Sequence, residues 1–165
     1  MHSGARIPDC CYTAYMKLHK MWMLISIGSI VAILADQLTK YLAQTNFTEQ
    51  PLVLISDFLV LRSSFNPGIA FSIPVPNALM ILITPLVIAI ICSIVIKDFD
   101  IQKRHTKIIL ALLLAGGFSN LIDRIIHGGV TDFIAFSFWP SFNLADSYLV
   151  IAGFLLVWNY GRIER

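Results

Sequence analysis

Four stretches of this chain stay apolar long enough to cross a hydrocarbon core, which takes roughly 20 residues in a helix. The pattern predicts helical spans over residues 21–42, 77–96, 108–126 and 143–160. The first runs apolar from Trp22 to Ala35 and then turns polar at Asp36-Gln37-Leu38-Thr39-Lys40. The second carries no charge, and its Pro85 is tolerable where neighbouring helices re-satisfy the freed carbonyl. The third starts apolar and ends polar. Between the first two spans, residues 51–65 are rich in Leu, Val, Ile and Phe but too short to span. They predict short strands or a surface element lying on the membrane. Asn66-Pro67-Gly68 is a turn signal. Residues 137–142, with Phe138, Trp139 and Phe142, read as an aromatic belt at the same interface.

Composition agrees with the pattern. Of 165 residues, 57% are apolar and 13% charged, against about 25% charged in a soluble domain. A disordered chain is excluded, since it needs low hydrophobicity and high net charge. The net charge of +2 gives no reason to expect nucleic acid as a partner. Where the charges lie is more informative. Nine Lys and Arg fall on one side of the predicted spans: Arg6, Lys17, Lys20, Lys97, Lys103, Arg104, Lys107, Arg162 and Arg165. Only Lys40, Arg62 and Arg124 fall on the other. That asymmetry predicts both termini in the cytoplasm, and four spans require the same parity.

The expected architecture is therefore an all-α integral membrane protein. It has four transmembrane helices and a small extracytoplasmic β-like or loop element between spans 1 and 2. Residues 1–20 form a cytoplasmic N-terminal segment and residues 21–165 one four-span domain. The segment from Met1 to Tyr15 has no periodicity, and Met16, Met21 and Met23 are alternative initiators. Ile33-Leu34-Ala35 makes a poor small-x-small cleavage site, so the first span is expected to be retained. Cys10 and Cys11 would face a reducing compartment and Cys92 lies within a span. No disulfide and no zinc site are expected from them.

An ionisable residue inside a span is costly and marks a functional candidate. Asp36 and Lys40 lie one turn apart near the outer end of the first span. Asn120, Asp123 and Arg124 lie near the outer end of the third, with Gly116 and Gly117 on the same stripe. Asn143 and Asp146 open the fourth. Asn66 and Asp132 sit in the outer loops. Each has a structural reading. Asn143 and Asp146 have the spacing of a capping box, and Asp36 with Lys40 that of an i, i+4 ion pair whose lysine reaches to the interface. Asp123 and Arg124 can lock helices together through other charges, and Gly116-Gly117 suits close helix packing. His127 is most simply interfacial. None of these separate readings explains why the polar residues converge at one depth.

The convergent residues fall into five segments. They are Asp36-Gln37-Leu38-Thr39-Lys40, Asn66-Pro67-Gly68-Ile69-Ala70-Phe71, Gly116-Gly117-Phe118-Ser119-Asn120-Leu121-Ile122-Asp123-Arg124, Val130-Thr131-Asp132-Phe133 and Phe142-Asn143-Leu144-Ala145-Asp146-Ser147. In this order the set resembles the lipoprotein signal peptidase (signal peptidase II) family over residues 21–160. The resemblance implies a bacterial inner-membrane aspartyl endopeptidase with its active site near the outer face. Its substrate would be a diacylglyceryl-modified prolipoprotein in the phospholipid bilayer, cut just before the lipidated cysteine. The catalytic pair would be Asp132 and Asp146, on a loop and at a helix start. Asp36, Lys40, Asn66, Gly68, Asn120, Asp123, Arg124 and Asn143 would support or line the site. Globomycin-type inhibitors would bind there. Two departures stand out: the segment before Lys20 is long for the family, and the stretch between Asp132 and Asp146 is short.

The implied chemistry suits two carboxylates and requires no metal or cofactor. An ionised carboxylate takes a proton from water while its protonated partner polarises the scissile carbonyl. Two other readings remain open at this point. One is a Ser/Lys peptidase with Lys40 as base and Ser64, Ser72 or Ser147 as nucleophile. The other is a small proton-coupled transporter or assembly factor that uses its membrane aspartates as proton carriers.

Overall fold

A computed structural model describes residues 9–68 and 73–160, with side chains from Tyr15 onward. Arg6, Ile69, Ala70, Phe71, Ser72, Arg162 and Arg165 lie outside the described residues, as do the side chains of Cys10 and Cys11. Four helices alternate with four strands: α1 (Asp9–Asn46), β1 (Leu52–Ile55), β2 (Leu59–Asn66), α2 (Asn77–Asp98), α3 (Arg104–His127), β3 (Val130–Phe136), β4 (Trp139–Phe142) and α4 (Leu144–Tyr160).

α1 is 38 residues long, or about 57 Å at 1.5 Å per residue. It begins well before the expected span because neither Gly nor Pro interrupts residues 9–27. α2 starts behind Pro76 and keeps Pro85 inside it. α3 stops at Gly128, whose left-handed φ of 78° suits glycine and whose N–H donates to Arg124 O. Three helices are long and apolar enough to cross a membrane; α4, at 17 residues, is a shorter apolar helix. α2 is the least buried, with 6% of its apolar window inside the fold and exposed side chains such as Leu82 and Leu86. Such a surface suits lipid, not water.

α3 is the central helix, packed against α1, α2 and α4. Its two glycines allow this. A Cβ on Gly116 would meet Ala145 O at 2.6 Å, and one on Gly117 would meet Ile88 Cδ1. Gly116 thus brings α4 close and Gly117 brings α2 close. The apolar core of Met21, Ile25, Val95, Phe99, Ile109, Leu110, Leu113 and Ala152 joins the helices at the end away from the sheet. At the sheet end the buried residues are instead Asp36, Lys40, Ser119, Asp123, Arg124, Thr131, Asp132 and Asn143.

The four strands form one antiparallel sheet in the order β1-β2-β3-β4. The first two fulfil the strand expectation for residues 51–65, turning at Asp57, whose φ is 55°. The last two correct the sequence reading. Asp132 is not on a loop but inside β3, opposite Ser64, and Trp139–Phe142 is strand β4. β3 lacks the polar/apolar alternation that marks a half-exposed strand, since residues 130–133 and 135 are all buried. β2 breaks register between Leu61 and Ser64, and there Ser63 N–H donates to Phe47 O at the end of α1. The sheet is thereby anchored over one end of the helices.

Candidate active site

Lys40 lies beneath the sheet, 3% exposed. Its ammonium has three close polar contacts, two ion pairs and one hydrogen bond. They reach Asp36 Oδ2 at 2.6 Å, Asp123 Oδ2 at 2.8 Å and Asn120 Oδ1 at 2.9 Å. Further donors reach both carboxylates. Asp36 Oδ2 accepts from Ser119 Oγ and Asp36 Oδ1 from Ala145 N–H in the first turn of α4. Asp123 Oδ1 accepts from Gln37 Nε2. A buried ion pair needs such additional hydrogen bonds to offset the loss of water. Asp36 therefore ties α1 to the start of α4, and Lys40 ties α1 to α3.

Asp132 and Asp146 face a cavity of about 500 Å³ between β2, β3, β4 and the ends of α3 and α4. They are joined through Asn143, which is fully buried. Its Nδ2 donates to Asp132 Oδ1 at 2.8 Å, and its Oδ1 accepts Asp146 N–H at 2.9 Å. Its backbone N–H donates to Asp146 Oδ2 at 3.2 Å. The capping-box geometry expected from spacing is thus present, and the same asparagine also supports the second aspartate. Asp146 Oδ1 accepts from Asn120 Nδ2 at 2.8 Å. Asp132 Oδ2 accepts from Asn66 Nδ2 at 3.2 Å, while Asn66 Oδ1 accepts Gly68 N–H at 3.0 Å.

Asp132 lies on the sheet, outside the helices. Burial, then the nearby negative charge of Asp146, pushes its carboxyl up to about 6, against the pull of the Asn66 and Asn143 amides and the charge of Lys40. It is thus poised to exchange a proton near neutral pH.

Asp123 and Arg124, adjacent in sequence, have separate partners: Asp123 pairs with Lys40 across the α1–α3 interface. Arg124 Nη2 donates to Gly68 O at 2.6 Å. Its Nη1 is buried, has no hydrogen-bond partner among the described residues, and belongs to a side chain on the cavity wall. Lys40 departs from expectation: it does not reach to the interface but is enclosed. That commitment to two carboxylates and Asn120 leaves no role for it as a serine's base. Ser147 Oγ donates to Asn143 O instead, and Ser72 lies outside the described residues.

All ten residues singled out from sequence gather in this one network. Reasoning from sequence missed two others. Gln44 Nε2 donates to Thr131 Oγ1 at 2.6 Å, and Asn77 Nδ2 donates to Arg124 O at 2.9 Å. The first was visible as the next helical step after Asp36 and Lys40. Asn77 had no such signal, as its partner is a backbone carbonyl distant in sequence. Among the described residues, no group of three or more His, Cys, Asp or Glu is arranged to hold a metal ion.

The fold and site together define a helical membrane protein with two neighbouring carboxylates at one end of its helices. The chain belongs to the family described as Signal peptidase (SPase) II, whose model matches residues 28–161. A protein of Moorella thermoacetica named "Lipoprotein signal peptidase" is 34% identical over 132 residues, covering 79% of this chain and 88% of that protein. Another so named, from Chlorobium phaeobacteroides (strain DSM 266), is 38% identical over 154 residues, covering 84% and 89%. Among solved structures, one titled "Bacterial membrane enzyme structure by the in meso method at 2.3 A resolution" matches with a TM-score of 0.74 at 29% identity, covering 84% of this chain and 87% of that one. The chain is thus a peptidase of a membrane-protein family, and the transporter reading falls.

Proposed function

We propose that the protein is an aspartic endopeptidase that removes the signal peptide from diacylglyceryl-modified prolipoproteins, cutting just before the lipidated cysteine, with Asp132 and Asp146 as the reacting pair. The observation that carries this reading is the pairing of both carboxylates on one cavity through Asn143. The names of the relatives support the substrate class.

The pair suits amide hydrolysis. One carboxylate, ionised, takes a proton from a water held between the two. The water oxygen attacks the scissile carbonyl. The other carboxyl, protonated, donates its hydrogen to the carbonyl oxygen and neutralises the charge that develops there. Collapse of the tetrahedral species breaks the C–N bond: the proton taken from water passes to the leaving nitrogen of the lipidated cysteine, and the second carboxylate takes its proton back from the diol as the new C=O forms. Arg124 supports this scheme, because its free Nη1 has the chemistry to hold a carbonyl of the bound peptide. Leu149 and Val150 of α4 line the cavity, and Val150 is 72% exposed. An exposed Val150 at the cavity wall is compatible with entry from lipid, which a substrate with diacylglycerol in the outer leaflet requires.

In this reading α4 is the fourth span, both termini are cytoplasmic and the sheet rests at the outer face of a bacterial inner membrane. Globomycin-type inhibitors would occupy the same cavity. The test is incubation of the purified protein with a diacylglyceryl-modified prolipoprotein, followed by gel mobility. Asp132→Asn and Asp146→Asn should each leave the protein folded and cut turnover by at least about a hundredfold. Near-normal turnover in either variant removes that aspartate from the pair.

A further inference from the structure

Asn120 occupies a position that substrate binding alone does not explain. Its Oδ1 accepts an N–H of the Lys40 ammonium, and its Nδ2 donates to Asp146 Oδ1. A lysine ammonium can only donate. It therefore fixes the amide's orientation, with oxygen toward Lys40 and N–H toward Asp146. Asp146 Oδ2 is occupied in the same sense by Asn143 N–H. Both oxygens of Asp146 are thus held as acceptors, one by a rigid backbone donor and one by an amide polarised from behind by a buried cation. Hydrogen bonds in such chains strengthen one another. Asp132 has two donors as well, Asn66 and Asn143, but both are neutral amides whose oxygens rest on backbone N–H groups.

We infer that Asn120 is a positioning residue that couples Lys40 to Asp146, and so makes Asp146 the base of the pair and Asp132 the acid. The inference rests on the assignment of Asp132 and Asp146 as the reacting pair. It extends that assignment by giving the two carboxylates different roles and the cause of the difference.

The other charges around Asp146 leave this coupling in place. From α1 come Asp36 and Lys40, and from α3 Asp123 and Arg124. From β3 comes Asp132, and from β2 Arg62, which lines the same cavity. Tyr148 follows on α4 itself. Asp36 and Asp123 have their oxygens turned onto Lys40, Ser119, Gln37 and Ala145 N–H. Arg124 is held by Gly68 O and Arg62 donates to Ser141 Oγ. The hydrogen-bonded path from a cation to Asp146 therefore runs through Asn120.

The experiment is the pH dependence of kcat/KM on the purified full chain with a synthetic diacylglyceryl-cysteine peptide, for wild type, Asn120→Ala and Asn120→Asp. Melting is followed on the same samples. Asn120→Asp keeps the size of the side chain and an acceptor for Lys40 but offers no N–H to Asp146, so it serves if the alanine variant does not fold. With either folded variant, the acid limb of the profile should move to higher pH by about one unit, a loss of about tenfold on the acid side. The alkaline limb should stay in place. An acid limb unmoved beneath a uniform fall in rate overturns the inference and leaves Asn120 a packing or substrate-contact residue. Asp146→Asn is measured alongside. If it is inactive while the limb is unmoved, only the relay fails; if it stays active, the pair itself fails and the relay with it.

Discussion

Asn143 Nδ2 donates to Asp132 Oδ1 at 2.8 Å, across the short link between β4 and α4. The same residue caps α4 through the Asp146 N–H. One side chain thus serves both helix geometry and the alignment of two carboxylates, and a single substitution separates the two. Asn143→Asp keeps a good cap but replaces the N–H donor with a third carboxylate oxygen facing Asp132. Like charges at that distance are unfavourable. The expected outcome is a folded protein with a melting temperature near wild type and turnover at neutral pH lower by at least about tenfold. Retained turnover at pH 7 would show that Asn143 acts only as a cap.

The Lys40 cluster makes a prediction about stability. Asp36, Lys40 and Asp123 are all under 5% exposed. Lys40→Met removes the cation and leaves two carboxylates facing each other without water. Breaking a buried pair costs about 3–5 kcal/mol, enough to empty the folded fraction of many marginal proteins. Folded yield in detergent and melting temperature should both fall sharply. The double substitution Lys40→Met with Asp123→Leu should recover part of the loss, since it removes one of the stranded charges. Failure of the double variant to recover anything would mean that Lys40 matters by shape alone.

Much of this arrangement was legible in the chain before folding. Apolar length predicted α2 and α3 within a few residues. The depth of Asp36, Asn120, Asp123 and Asp146 along their helices placed them at one level, because rise per residue in a helix is fixed. Strand β3 was harder. Its residues are buried on both faces, so the period of two that betrays a strand is absent, and Asp132 read as part of a loop. Pair choice was hardest. Asp123 precedes Arg124 in sequence, yet adjacent helical positions point about 100° apart. Asp123 faces Lys40 on α1, while Arg124 turns to Gly68. Sequence spacing alone does not state which cation a carboxylate meets across a helix interface.

Close helix approach on α3 gives a third prediction. A Cβ on Gly117 would meet Ile88 Cδ1 inside contact distance. Gly117→Val must displace the Ile88 side chain or the α2 turn that carries it, and overpacking of this kind costs about 1–3 kcal/mol. Because Asn77 at the start of α2 donates to Arg124 O, the shift should also disturb the cavity wall and lower turnover. Gly153→Ala is the control. A Cβ there would meet nothing within 4 Å, and alanine favours a helix over glycine by about 1 kcal/mol. It should melt at or slightly above the wild-type temperature with unchanged turnover. Equal loss in both variants would remove the packing explanation.

The last prediction concerns the pH dependence of stability. Burial holds the Asp132 carboxyl up to about 6, from an ordinary value of 3.8. The folded protein then binds this proton more tightly than the unfolded chain does. Between about pH 4 and pH 6 the folded state carries more of the proton, so stability from this group falls as pH rises through that window. Above pH 6 the ionised carboxylate is fully present in a buried place, at a cost of about 3 kcal/mol relative to acid pH. Asp132→Asn removes the titrating group but not the surrounding cavity. The difference in melting temperature between the variant and the wild type should therefore shift in the variant's favour as pH is raised from 4 to 7, and level off beyond. Comparing the two proteins in one detergent across that range cancels the titration of every other group that behaves alike in both. A difference that stays flat with pH, or that turns toward the wild type, would mean that Asp132 is well solvated in the folded protein and that its proton is not held by burial.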